Sequence, residues 1–274
     1  MNGKIINFCP TGVIPKKKDN PYTPININEI VNDVEYAASK GVQIVHLHAR
    51  DKEGNPSSDP GIYSEIISEI DSRKINIIKC VSTSGRVKND FENRSKVLDI
   101  NNKPDMASLT LSSLNFITGA SVNQPELIQR LAQKMYDNGI IPELEVFDIG
   151  MLNYLNYLIK KNIIKPPYYI NIILGNISSA QPTLGDIAAL KNHLPPDSSV
   201  CLGGIGNFQL VSNIMGLLYF DGVRVGLEDN IYLDKNKKVY AKNKDLIDRI
   251  NILINNFQFD KFTLQQIKDK ISLK

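Results

Sequence analysis

Long apolar runs are missing from this 274-residue chain, and no window approaches the ~18 uninterrupted apolar residues of a membrane span. Membrane partners are therefore not expected. Paired cysteines are missing too. The three present, Cys9, Cys80 and Cys201, lie far apart and form no Cys-x-x-Cys pair, which excludes a disulfide framework and a cysteine zinc knuckle. The first ten residues carry no basic region leading into an apolar stretch, so no secretion signal is read and a cytoplasmic location is expected. Excess charge is slight: 32 Lys and Arg against 29 Asp and Glu leave +3, too little to argue for a nucleic-acid-binding face. Histidine is scarce, so imidazole chemistry must come from His46, His48 or His193.

What remains is an ordinary globular composition, 42% hydrophobic and 22% charged, sufficient for a large core. Short apolar, β-branched runs predict strands at 4–9, 42–48, 75–82, 105–110, 142–148, 168–174, 199–203 and 222–228. Amphipathic stretches between them predict helices at 27–39, 60–73, 91–99, 125–138, 150–161, 183–193 and 209–220. Helix starts are expected at Asn28 and Thr183, and stops at Gly41 and Gly139. Two more helices follow the eighth strand, at 244–257 and from 263 onward. A dinucleotide fold would place its glycine-rich turn after the first strand. Here Gly203-Gly204-Ile205-Gly206 follows the seventh, where barrels build phosphate sites. The expected architecture is thus a single-domain (β/α)8 TIM barrel over residues 1–274, with extra C-terminal helix.

His46 and His48 stand at i and i+2 on the second strand, so both point to one side, at the end where barrel active sites lie. Imidazole pairs suit zinc. His193, at a helix C-terminus, suits a solvated role. A third ligand must then be a carboxylate. On the eighth strand Val223, Val225 and Leu227 face the helices, which turns Arg224, Gly226 and Glu228 inward. Two histidines and one carboxylate with an open position match catalytic zinc, and non-haem iron uses a similar set. An Arg224–Glu228 ion pair is the competing role for that glutamate. On the fifth strand Glu143 and Glu145 face in, and Glu145, nearer the C-terminal end, is the favoured functional residue. Ser82, Thr83, Ser84 and Gly85 cap the third strand, and Ser108 with Thr110 takes the inward parity of the fourth.

The motifs His46-Leu47-His48-Ala49-Arg50-Asp51, Met106-Ala107-Ser108-Leu109, Pro142-Glu143-Leu144-Glu145-Val146-Phe147-Asp148, Gly203-Gly204-Ile205-Gly206 and Val223-Arg224-Val225-Gly226-Leu227-Glu228-Asp229-Asn230 together resemble the β-keto acid cleavage enzymes, which include the 3-keto-5-aminohexanoate cleavage enzyme. The resemblance runs over nearly the whole chain. It implies zinc on His46, His48 and Glu228, a β-keto acid bound through its keto and carboxylate oxygens, and acetyl-CoA as co-substrate. It also implies condensation and retro-Claisen cleavage to acetoacetate and a new acyl-CoA. Carried over by position, Asp229 is the general base, Arg224 and Ser82 its orienting partners, and Ser108 and Glu145 substrate contacts, with Gly85 in the same loop. A homotetramer is implied as well. Beside Arg224, Asp229 is expected to keep a low pKa.

One departure stands out. The family member acting on an amino-bearing substrate carries a glutamate in the first-strand loop, where this chain has Ile14. An apolar side chain cannot compensate an ammonium ion, so the expected substrate lacks an amino group. It is then a neutral β-keto acid, or an anionic one met by Lys16, Lys17 or Lys18. Two readings from other classes compete: a different metal-dependent barrel lyase or aldolase, and a metabolite-binding barrel without turnover.

Overall fold

The computed structural model describes residues 3–273. Eight parallel strands follow one another around a closed ring: β1 (Gly3–Phe8), β2 (Ile44–Leu47), β3 (Ile78–Val81), β4 (Met106–Thr110), β5 (Ile141–Val146), β6 (Tyr168–Leu174), β7 (Ser198–Gly204) and β8 (Gly222–Val225). Closure is made by β8 against β1, with Ile5 opposite Gly222 and Phe8 opposite Val225. Helices α1 (Ile27–Ser39), α2 (Pro60–Ser72), α3 (Phe91–Ser95), α4 (Pro125–Asp137), α5 (Ile149–Lys160), α6 (Leu184–His193) and α7 (Gln209–Tyr219) return the chain between strands. The helix α8 (Asn243–Asn256) follows β8, and α9 (Leu264–Lys270) is the last helix of the described chain.

Alternation along each strand sorts the side chains. Ile6, Phe8, Val45, Leu47, Val223 and Val225 are fully buried in the layer between strands and helices. Each such residue contributes about 1.5–3 kcal/mol of burial. The opposite parity fills the ring. Its floor is apolar, built from Ile5, Ile44, Ile78 and Met106, and Ile267 and Ile271 from the α9 segment close it from below. Above this floor the interior turns polar, with Asn7, His46, Glu143, Asn171 and Arg224 all buried. The tail helix is therefore the plug of the barrel.

Several boundaries differ from the sequence reading. The N-cap of α1 is Asn26 rather than Asn28: its side chain accepts from the Glu29 amide while Glu29 reaches back, a reciprocal capping box. The stretch 91–99 divides into α3 and a 3-10 turn, Lys96–Asp99. The strand expected over 222–228 stops at Val225, because Gly226 takes φ +155° and a β-carbon there would lie 2.0 Å from the Cys9 carbonyl oxygen. Leu227, Glu228 and Asp229 consequently stand on a turn above the ring, and strand parity does not govern them. Likewise β2 ends at Leu47, one residue before His48.

Candidate active site

The sequence places two imidazoles at the top of β2, and the fold brings a carboxylate to them from the turn after β8. His46 Nε2 lies 3.1 Å from His48 Nε2, His48 Nε2 lies 3.3 Å from Glu228 Oε1, and His46 Nε2 lies 4.0 Å from Glu228 Oε2. All three side chains are largely withdrawn from solvent, and Glu228 Oε2 has no hydrogen-bond partner. Gly12 lets the β1 loop pass against Glu228, and Arg50 fixes that loop by donating to the carbonyls of Gly12 (2.7 Å) and Pro15 (2.8 Å).

Behind His46 stands Glu143, fully buried. It accepts from His46 Nδ1 at 2.5 Å, from the Asn7 and Asn171 amides at 2.7 Å each, and from the Cys80 thiol at 3.3 Å. Donation through Nδ1 turns His46 Nε2 toward His48 and Glu228. Burial acts to raise the Glu143 carboxyl, but His46 and Arg224 outweigh it and bring it down to about 2. Burial acts to lower His46; the Glu143 and Glu228 carboxylates outweigh it and lift it to about 9. His48 is different, since burial dominates and lowers it. The sequence reading preferred Glu145 to Glu143 on depth along the strand, whereas the deeper residue holds the imidazole. No sequence signal separates the two glutamates, because their parity is the same.

Arg224 serves the acids on the other side. It donates from Nε to Asp229 at 3.0 Å and from Nη2 to Glu228 at 2.8 Å, and its Nη1 stands 3.5 Å from Glu145. Glu145 also accepts from the Thr110 hydroxyl at 2.7 Å. Gly203, lacking a side chain, leaves room for the Arg224 stem, which a β-carbon would approach to 3.1 Å. Glu228 thus stands beside the two histidines and in an ion pair with Arg224 at once. Asp229 departs from the low pKa expected of it: burial, aided by Glu228, outweighs Arg224 and raises it to about 6. A carboxyl so placed is half-ionised near pH 6 and mostly ionised at neutral pH, which suits a general base.

These groups open into a cavity of about 670 Å³, within the range of small-molecule sites. Ser82, Glu145, Arg224, Glu228 and Asp229 form its inner wall, and Ile14, Ile117 and Tyr240, each more than a third exposed, stand at its rim. Ser108 does not reach it. Its hydroxyl accepts from the Thr83 amide and its carbonyl from the Thr83 hydroxyl at 2.6 Å, so it braces the β3 loop from behind. Gly85 lies in that loop but faces Asn89 and Arg94 rather than the cavity. Of the three lysines considered, Lys17 is paired with Glu29 at 2.7 Å, and Lys18 lines the cavity. His193 is exposed, as its position at the end of α6 suggested. Two features escaped the sequence reading: the hairpin Leu114–Phe116 with Gly119–Ser121, and Arg86 beneath it.

A profile described as beta-keto acid cleavage enzyme matches residues 4–273. The chain belongs to that family. Among the family's relatives, 3-oxoadipate:acetyl-CoA acetyltransferase of Cupriavidus necator is 33% identical over 273 residues, covering 98% of this chain and 94% of that protein. The 3-keto-5-aminohexanoate cleavage enzyme of Fusobacterium nucleatum is 30% identical over 278 residues, covering 100% and 99%. The barrel superposes on the apo structure of ObcA with a TM-score of 0.80 at 19% identity, over 92% of this chain and 66% of that one, a likeness of fold. Among the described residues no helix is long and apolar enough to cross a membrane.

Proposed function

We propose that this β-keto acid cleavage enzyme is a zinc-dependent acyltransferase. It joins a β-keto acid lacking an amino group to acetyl-CoA and releases acetoacetate and a new acyl-CoA. The observation that carries this reading is the meeting of His46, His48 and Glu228 beside the Asp229–Arg224 pair at the base of the cavity. The donors fit a tetrahedral zinc ion, whose ligand atoms stand ~3.3 Å apart for metal–ligand bonds of ~2.0–2.1 Å. The unpartnered Glu228 Oε2 and the Glu143-held His46 support that fit, and a bound ion would take the place of the second imidazole proton. The neighbouring group of His46, Cys80 and Glu143 does not fit, because burial keeps the Cys80 thiol protonated. When bound, zinc supplies Lewis-acid stabilisation of developing oxyanion charge.

The chain's own residues supply the rest. Asp229 takes a proton from the carbon between the keto and carboxylate groups, and Arg224 holds it in place for that transfer. The carbanion forms a bond to the acetyl carbonyl carbon and the CoA thiolate leaves. The thiolate then adds to the original keto carbon, the bond to the central carbon breaks, and Asp229 returns the proton to acetoacetate. Glu145 and Ser82 line the same cavity, in reach of a substrate bound there. No oxidant or reductant is consumed. Ile14, on the rim, offers no counter-charge to an ammonium group.

Purified protein should contain about one zinc per chain and form acetoacetate from a 3-oxo acid only when acetyl-CoA is supplied. Stoichiometric binding without turnover would defeat this reading, as would cleavage that ignores acetyl-CoA. The tetramer implied by the family likeness is checked by light scattering on the purified protein.

A further inference from the structure

Four cationic side chains line the cavity: Lys18, Arg86, Arg224 and Lys237. Arg224 is committed to Glu145, Glu228 and Asp229. Lys18 and Lys237 are exposed. Arg86 differs from all three. It is half-buried in the loop after β3, its guanidinium lies 4.3 Å from the centre of the Phe116 ring, and its one side-chain hydrogen bond goes to the Thr118 hydroxyl at 3.5 Å. Among the described residues no carboxylate pairs with it. Burial lowers its pKa, and the charges of Glu228 and Glu145 act to raise it, so it remains a cation close to the acidic cluster without belonging to it.

The Phe116 face offsets part of the desolvation of this cation, but most of its N–H donors are left for an anionic ligand to complete. In the proposed reaction the carboxylate and keto oxygens next to the reacting carbon are directed to the His46–His48–Glu228 end, which leaves Arg86 facing the remainder of the substrate. We infer that Arg86 receives a second carboxylate at the far end of the substrate, so that the β-keto acid is a 3-oxo dicarboxylate. This rests on the proposed reaction and chooses between the neutral and anionic acids left open by Ile14. The planar guanidinium suits bidentate carboxylate recognition, while the exposed Lys18 and Lys237 at the mouth suit the more solvated phosphates of CoA. The acyl-CoA released would itself end in a carboxylate.

The test compares a 3-oxo dicarboxylate with the chain-matched 3-oxo monocarboxylate, each with acetyl-CoA and zinc-loaded protein. The wild type should prefer the diacid by about 10- to 100-fold in kcat/KM, the scale of one charge-assisted hydrogen-bonded pair. Arg86→Gln should collapse that ratio through the KM of the diacid, and Arg86→Lys should restore part of it. Calorimetric binding of glutarate against butyrate gives a readout without turnover, and the preference for glutarate should vanish in Arg86→Gln. Should no 3-oxo acid turn over while glutarate binding still depends on Arg86, the reaction fails and the anion site stands. A wild-type preference for the monoacid overturns the inference. So does an Arg86→Gln defect confined to the KM of acetyl-CoA, which would assign Arg86 to the CoA phosphates.

Discussion

Gly12 and Glu228 are packed so closely that a β-carbon on the glycine would lie 2.5 Å from Glu228 Cγ, and Gly12 itself has φ +69°. The loop after β1 is in this way the mould for the carboxylate contributed by the turn after β8. Gly12→Ala should therefore cost about 1–3 kcal/mol of stability through backbone strain and collision. It should also weaken zinc binding by displacing Glu228. Urea denaturation and zinc titration measure the two effects; a variant with unchanged zinc affinity would show that Glu228 does not depend on that contact.

Glu143 touches no cavity surface, yet it sets the orientation of His46. Its replacement by Gln should lower zinc affinity about 10- to 100-fold, the usual effect of losing the partner behind a metal-bound imidazole. Competition with a fluorescent chelator reads this directly. Thermal melting in the presence of saturating zinc should show a folded protein.

Asp229→Asn should reduce kcat by about 10²- to 10⁴-fold, the range for loss of a positioned general base, while zinc content stays near the wild-type value. Arg224→Met is predicted to behave differently. It strips three acids of their shared cation in a buried site, which typically costs about 3–5 kcal/mol, so a large fall in melting temperature should accompany the loss of activity.

The barrel was legible because its alternation of buried strands and amphipathic helices is local, and the His46–His48 pair was legible because i and i+2 parity carries one residue past the end of β2, where the two Nε2 atoms still meet at 3.1 Å. Glu228 was reached by extending the strand parity past its true end at Val225; the fold does bring it beside the histidines, but from a turn to which that parity does not apply. The roles of Glu143 and Ser108 were hidden, since they depend on which neighbours cross the barrel interior. The pKa of Asp229 was misjudged for a related reason: a sequence shows the adjacent Arg224 but not the burial that opposes it.

Ile14→Glu places an acid at the rim of the cavity and should raise the activity toward 3-keto acids bearing an amino group relative to those without one. Ratios of kcat/KM for the paired substrates measure the shift. A wild-type enzyme that already favours the aminated acid would overturn the reading of this position.

Glu29 fastens the segment that carries Ile14 and Lys18, accepting from the Ile25 amide at 2.8 Å and from Lys17 at 2.7 Å. Burial raises its carboxyl, but the Ile25 amide and Lys17 outweigh this and leave it below the ordinary glutamate value. A depressed carboxyl stabilises the fold above the unfolded-state pKa, and the gain is lost as pH falls through the lowered value. Because the side chain is 35% exposed, solvent screening should keep the effect under about 1 kcal/mol. Melting temperatures of Glu29→Gln and wild type should differ at neutral pH and converge in acid.

Joining β8 to β1 makes the final barrel strand a condition for the pocket proposed to hold zinc. A nascent chain emerging from the ribosome exposes both histidines long before the glutamate that completes their set has been synthesised. Full-affinity metal capture must then wait until the ring shuts, and chains arrested before β8 should hold the ion weakly however well their earlier strands have folded.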